Sequence, residues 1–245
     1  MTTVLKLGGS VITEKDEPET IDRGRLESAA RALGAADEQL VVVHGAGSFG
    51  HHYAAKHGVS VTEGTRDVTA VREVHDAMVR LNQVVVAELA ANGIPAIPVQ
   101  PLSIGARDAD GALTLPTAAI ERQLSEGFVP VLHGDLVAHE GTGATVLSGD
   151  ELIVRIATAV GADRVGVCST VPGVLDEDGT VVDRIEAMAD VASVLGESDS
   201  TDVTGGMAGK VAALLELDVE AAIFGPEDLD AFVRGNAPGT TVDGR

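Results

Sequence analysis

Only four lysines occur in these 245 residues, and three of them stand beside glycine-rich turns. Lys6 precedes Gly8, Gly9 and Ser10 in "TVLKLGGS", Lys15 follows in the next loop, and Lys210 ends "TGGMAGK". The other thirteen basic residues are arginines, so surface charge is met almost without lysine and these three stand out as candidates for chemistry. Ammonium groups set among the backbone N–H groups of tight turns can neutralise a phosphoryl group in transit. His51, in "HGAGSFGHH", could hydrogen-bond an anionic acceptor, and His52 beside it could do the same. Asp150, in "LSGDELI", could hold two lysines in place, or could simply cap its helix or serve as a first-turn acid.

Gly45, Gly47 and Gly50 spell G-x-G-x-x-G directly after the apolar run "LVVVH", the pattern of a dinucleotide-binding turn. One such turn suffices for a dinucleotide. Here "KLGGS", "HGAGSFGHH" and "HGD" (Gly134) each follow a strand pattern, and "TGGMAGK" (Gly205, Gly206) opens a helical one. Strand-end glycines let backbone N–H groups point at anionic oxygens, and several such turns suit a site that handles two phosphate-bearing molecules. The late motif is not a Walker A loop, because Thr204 stands at the required first glycine and Val211 at the required Ser or Thr.

The elements that must position these groups alternate between strand and helix. "TVLKLG", "QLVVVH", "PAIPV", "FVPVLHG", "DRVGVCS" and "VEAAIFG" read as strands. Between them, helical patterns begin at Asp22, Asp67, Pro116, Gly149 and Gly205. "HGAGSFGHH" reads as a loop, Asp135 to Ser148 as a hairpin, and "GVLDEDGTVVDR" as another with its turn at Asp178-Gly179. This alternation predicts an α/β fold, a mainly parallel sheet covered on both faces, with ligands at the carboxyl ends of its strands. Val74, Met78 and Leu81 share a helix face and read as core in preference to contacts with the apolar part of a ligand.

The net charge is −21, spread along the whole chain. Such a field repels nucleic acid and anionic membrane, so neither is expected as a partner. With 2% aromatics and arginine in place of lysine, it suits a high-salt interior that screens self-repulsion. No run reaches the roughly 18–20 apolar residues of a membrane span, and no signal-type segment opens the chain, so a soluble cytoplasmic protein is expected. The single cysteine, Cys168 in an apolar run, reads as a buried structural thiol. The histidines show no ligand spacing, and no protein metal site is expected.

Taken together, "LKLGGSVITEKD", "VHGAGSFGHHYA", "VPVLHGDLV", "LSGDELI" and "TDVTGGMAGKV" resemble the amino acid kinase family, and within it the branch that phosphorylates isopentenyl phosphate. The resemblance runs in order along nearly the whole chain. It implies one αβα sandwich domain over residues 1–245, acceptor in the N-terminal half and ATP with its Mg2+ in the C-terminal half, and a homodimer. Lys6 would contact the transferred phosphoryl amid the amides of Gly8, Gly9 and Ser10, and Lys15 would stabilise the transition state. Gly45, Ala46, Gly47, Gly50 and His51 would surround the acceptor phosphate, with Gly134 lining the same pocket and Gly47 also facing the nucleotide. Asp150 would orient the lysines, while Gly205, Gly206 and Lys210 grip the ATP phosphates. The family's usual acidic pair in the segment "CSTVPGVLD" is replaced by Thr170 and Pro172. That segment borders the nucleotide, so Thr170 is expected there.

Other readings remain open at this point. A fosfomycin-kinase-like enzyme shares the histidine-bearing acceptor segment, whereas nothing marks an acylglutamate or uridylate kinase. An NAD(P)-dependent oxidoreductase would use the G-x-G-x-x-G turn but leave three lysines idle. A nucleotide sensor would bind ATP without turnover.

Overall fold

The computed structural model describes residues 1–191 and 206–245. Its centre is an eight-stranded sheet. The inner strands are β1 (Thr2–Leu7), β2 (Gln39–His44), β6 (Val129–His133), β9 (Arg164–Cys168) and β11 (Ala221–Phe224), all parallel. These are near-continuous apolar runs, as strands buried on both faces require. β3 (Ala96–Pro98) extends the parallel set at one edge. At the other edge β12 (Thr240–Val242) runs antiparallel to β11, with β10 (Arg184–Ile185) beyond it. The order across the sheet is β10-β12-β11-β9-β1-β2-β6-β3.

The period-2 alternation of β1 decides which side chain meets which layer. Leu5 and Leu7 pack with Val42 and Phe224 against α2 (Arg23–Leu33) and α4 (Val68–Ala91). Val4 faces the other way with Val43 and Val167, under α5 (Ala118–Ser125), α6 (Gly149–Val160) and α7 (Gly206–Leu214). Lys6 shares the Val4 face, so the strand aims its ammonium at α6. The helices on both faces complete the αβα sandwich expected from the alternation.

A four-stranded sheet stands beside the first. It contains β4 (Ala106–Arg107), β5 (Leu113–Thr114) and the expected hairpin of β7 (Asp135–His139) and β8 (Gly143–Leu147), in the order β5-β4-β7-β8. Gly134 alone separates β6 from β7, so the chain passes between the sheets in one residue. The second expected hairpin is reduced to one bridge, Leu175 with Val181, and its turn is held by Asp176, which accepts the N–H groups of Asp178 and Thr180.

Two helices near the site were not anticipated. α1 spans Gly9–Ile12, and α3 spans Gly47–His57 where the sequence suggested a loop. The short α8 (Leu229–Val233) packs on α2. Among the described residues, no helix is long and apolar enough to cross a membrane. Cys168 is buried, and burial pushes its thiol up to about 12.

Candidate active site

Leu7, His44 and His133 lie in register at the carboxyl ends of β1, β2 and β6, and Cys168 ends β9 beside Leu7. One further backbone bond follows each pairing. Gly8 N–H donates to Cys168 O, Gly45 N–H to Leu7 O, and Gly134 N–H to His44 O. The glycine turns therefore emerge at one level, at the rim of a cleft of about 400 Å³. The expected placement of ligands at the strand carboxyl ends corresponds to this cleft.

Lys6 and Lys210 converge on one carboxylate. Lys6 Nζ lies 2.6 Å from Asp150 Oδ1, and Lys210 Nζ donates to Asp150 Oδ2 at 3.2 Å. The Asp150 side chain is only 10% exposed, so this is an ion triad largely removed from water. Burial pushes the Asp150 carboxyl up, but the two ammoniums outweigh it and hold it below the ordinary aspartate range. Ser148 is the N-cap of α6, its hydroxyl accepting the Glu151 N–H. That leaves Asp150 in the first turn with its carboxylate turned to the lysines, not to its own helix.

Every site residue expected from the sequence that is described here lines the cleft: Lys6, Gly8, Gly9, Ser10, Lys15, Gly45, Ala46, Gly47, Gly50, His51, Gly134, Asp150, Thr170, Gly206 and Lys210. Gly205 lies outside the described residues. His51 is half-buried on α3, about one turn past Gly47, whereas His52 is exposed and meets Tyr53 edge to face at 5.0 Å. Of the two histidines, the geometry brings His51 to the cleft. Lys15 is exposed and reaches the cleft from the loop after α1.

The glycines divide into two kinds. A Cβ on Gly9 would overlap the backbone nitrogen of Gly47, one on Gly45 would stand 2.5 Å from Gly9 N, and Gly47 itself has φ +50. These three let two backbone turns lie directly on each other. A Cβ on Gly134 would meet nothing closer than 3.5 Å among the described residues, so the fold itself does not need glycine there. Its bareness leaves room in the cleft.

Sequence reasoning missed several lining groups. Asp135, Ser148, Gly149, Ser169, Val171 and Met207 border the cleft, the first four in or next to the turns already singled out. Val74 and Met78, expected as core, are buried at 3% and 0% exposure yet form part of the wall with Ala54 and Val146, while Leu81 remains in the core. Behind this wall lies a polar layer. His75 Nδ1 and Asp135 Oδ2 are 2.8 Å apart, and that bond raises the His75 pKa against the effect of burial. Asn82 Nδ2 donates to His44 Nε2 at 3.1 Å, leaving Nδ1–H of His44 for Gly45 O. Burial lowers His44 to about 3 and also depresses His133, so both are neutral rings.

Residues 1–222 match the amino acid kinase family. The chain is 60% identical over 243 residues to isopentenyl phosphate kinase of Haloferax volcanii, covering 98% of each, and 37% identical to that of Methanothermobacter thermautotrophicus, covering 95% of this chain and 92% of the relative. It is also similar to a crystal structure of isopentenyl phosphate kinase, with a TM-score of 0.86 at 31% identity over 99% of this chain and 100% of that one. From its strand order, its cleft and these likenesses, the chain belongs to the amino acid kinase family.

Proposed function

We propose that the protein is an isopentenyl phosphate kinase, moving the γ-phosphoryl group of ATP onto the phosphate of isopentenyl phosphate to give isopentenyl diphosphate and ADP. The observation that carries this reading is the wall of Ala54, Val74, Met78 and Val146 in the same cleft as His51 and the Lys6–Asp150–Lys210 triad. A small branched hydrocarbon needs the apolar surface, and its phosphate needs the cations and amides. The relatives' activity supports the same assignment.

The chemistry follows from charge placement. An oxygen of the acceptor phosphate attacks the γ-phosphorus in line, and the bond to the β–γ bridging oxygen breaks as ADP leaves. Both reactants are anions, so repulsion is a large part of the barrier. Lys6 and Lys210 neutralise the equatorial oxygens, and Asp150 fixes where those ammoniums stand before the substrates arrive. Lys15 adds a third cation from the loop side. His51 and the amides of the Gly45–Gly50 segment hold the acceptor phosphate, while Gly134 leaves space for its approach. The amides of Gly8, Gly9 and Ser10, with Gly205, Gly206 and Thr170, take the nucleotide side.

The donor set fits the polyphosphate of MgATP: two ammoniums and turn amides, with the carboxylate beside them, Asp150, already taken by lysines. Magnesium would be carried by the nucleotide phosphates and would neutralise charge between them. In this reading one domain spans the chain, acceptor in the N-terminal half and nucleotide in the C-terminal half. A cytoplasmic homodimer belongs to the same reading.

The test is ADP release with the product identified by mass, using MgATP and isopentenyl phosphate in molar KCl, with fosfomycin and longer prenyl phosphates in parallel. Isopentenyl diphosphate should form, and His51→Ala should raise the acceptor KM by about tenfold or more, the loss of a charge-assisted hydrogen bond. Turnover of fosfomycin alone would retain the kinase and replace the acceptor. ATP binding without turnover of any acceptor would point to a sensor.

A further inference from the structure

Glu19 has φ +52 and is the one non-glycine residue with positive φ among those described. Left-handed backbone is unfavourable for a residue like Glu, costing about 1 kcal/mol or more. Such a conformation persists where surrounding bonds over-determine it, and Glu19 has a dense set. Its Oε1 accepts the Tyr53 hydroxyl at 2.5 Å and Arg80 Nη2 at 2.8 Å, and its Oε2 accepts Arg80 Nε at 3.3 Å. Its own N–H donates to Ser48 O at 3.3 Å.

The place of Glu19 in the chain gives these bonds a purpose. It ends the loop that carries Lys15, whose two stems are joined by the Thr13–Ile21 bridge and by Glu14 N–H donating to Thr20 O. Tyr53 lies on α3 two residues past His51, and Arg80 lies on α4 two residues past Met78. At the stems, Ser48 N–H donates to Thr13 Oγ1 at 3.0 Å and Ser48 Oγ to Thr20 O at 3.3 Å. The stems are thus tied to α3 through Ser48, and the Glu19 side chain adds a second tie that reaches both α3 and α4. Lys15 itself is exposed, and a lysine at a loop tip has several rotatable bonds to restrain.

We propose that Glu19 is a positioning residue for Lys15: its carboxylate, latched to Tyr53 and Arg80, holds the loop so that the Lys15 ammonium stands over the cleft for phosphoryl transfer. The inference rests on the kinase reading of Lys15. Because the latch uses α3 and α4, it also places that cation relative to the helices that bear His51 and the apolar wall.

The test is a kinetic cycle of Glu19→Ala, Lys15→Ala and the double variant, with Tyr53→Phe as a milder break that removes one hydroxyl and leaves the packing. Glu19→Ala should lower kcat by roughly tenfold to a hundredfold, the effect of misplacing a group by about an ångström, with both KM values within about threefold. Tyr53→Phe should lower kcat in the same direction by less. The double variant should be no slower than Lys15→Ala, since a residue acting through Lys15 has nothing left to position. Trypsin should also cut after Lys15 faster in Glu19→Ala than in the wild type, with other cleavages unchanged. Additive losses in the double variant, or an unchanged kcat in both Glu19→Ala and Tyr53→Phe, would overturn the latch. Wild-type kcat in Lys15→Ala would instead remove Lys15 from the mechanism, and the positioning role with it.

Discussion

Asp150 holds two ammoniums on one carboxylate, and what it contributes is placement. Both ammoniums pair with the one carboxylate, and that carboxylate is itself fixed in the capped first turn of α6. The lysines were legible in the sequence because the chain is otherwise nearly free of them. Asp150 was less so: a first-turn acid and an N-cap look alike in one dimension, and only the capping hydroxyl of Ser148 separates them. Val74 and Met78 were legible as buried, but helical spacing reports burial and not what lies on the other side, so it ranked a core role above the place on the cleft wall that they occupy. Gly134 offers the sharpest test at this scale. Gly134→Ala should leave unfolding free energy within about 0.5 kcal/mol of wild type, because nothing among the described residues crowds the new methyl. The acceptor KM should rise by roughly tenfold, because that methyl enters the cleft. Denaturant titration and steady-state kinetics on one preparation measure both.

Among the elements, the central strands were legible because apolar runs of this length, flanked by turns, fit little besides a strand buried on both faces. α3 was missed because its stretch, Gly47–His57, contains two glycines, three histidines and no apolar period; its helicity is imposed by the packing of Phe49 and Ala54 and ended by Gly58 at φ +63. β4, β5 and β10 are two residues each, too short to show any period. The small sheet nevertheless matters to the site through Arg107 on β4. Its guanidinium, 6% exposed, grips Glu151 with two prongs at 2.7 and 2.5 Å and also reaches Gly111 O and Val146 O. Glu151 adjoins Asp150, so this fork joins the small sheet to the amino end of α6. Arg107→Ala should destabilise the protein by about 2 kcal/mol, less than for a wholly enclosed pair because Glu151 is 30% exposed. Urea unfolding monitored by far-UV circular dichroism measures the loss.

At the scale of the molecule, a net charge of −21 means that dilute buffer is a poor reference condition. Molar KCl shortens the Debye length to about 3 Å and leaves the contributions of individual groups visible. His44 and His133 are buried and neutral in the fold, with His44 lowered to about 3. As pH falls below about 6.5 the unfolded chain takes up protons that these two rings refuse, so stability declines, by at most about 1.4 kcal/mol per pH unit for each. His75 works in the opposite sense. Its hydrogen bond to Asp135 raises its pKa, so its contribution is complete below the unfolded value and fades as pH rises through the folded one. Two rings against one predict a net loss of stability as pH falls from about 8 to about 5. His75→Gln should make that decline steeper, as followed by unfolding free energy against pH at constant KCl. None of this layer was legible in the sequence, where the histidines showed no spacing in common; the carboxyl ends of β2 and β6, together with α4, bring them together.

The contact of the Gly9 turn with Gly45 and Gly47 has a consequence for how such an enzyme could acquire new acceptors. A Cβ added at Gly9 or Gly45 runs into the backbone of the facing turn, and one at Gly47 runs into Thr13 Oγ1 and Gly9 O, so none of the three positions has room for a side chain. Novelty has to enter elsewhere. A library seeking bulkier acceptors should hold residues 8–10 and 45–47 constant and vary Ala54, Val74, Met78 and Val146, where a change of volume alters the space in the cleft while the packed glycine turns stay as they are.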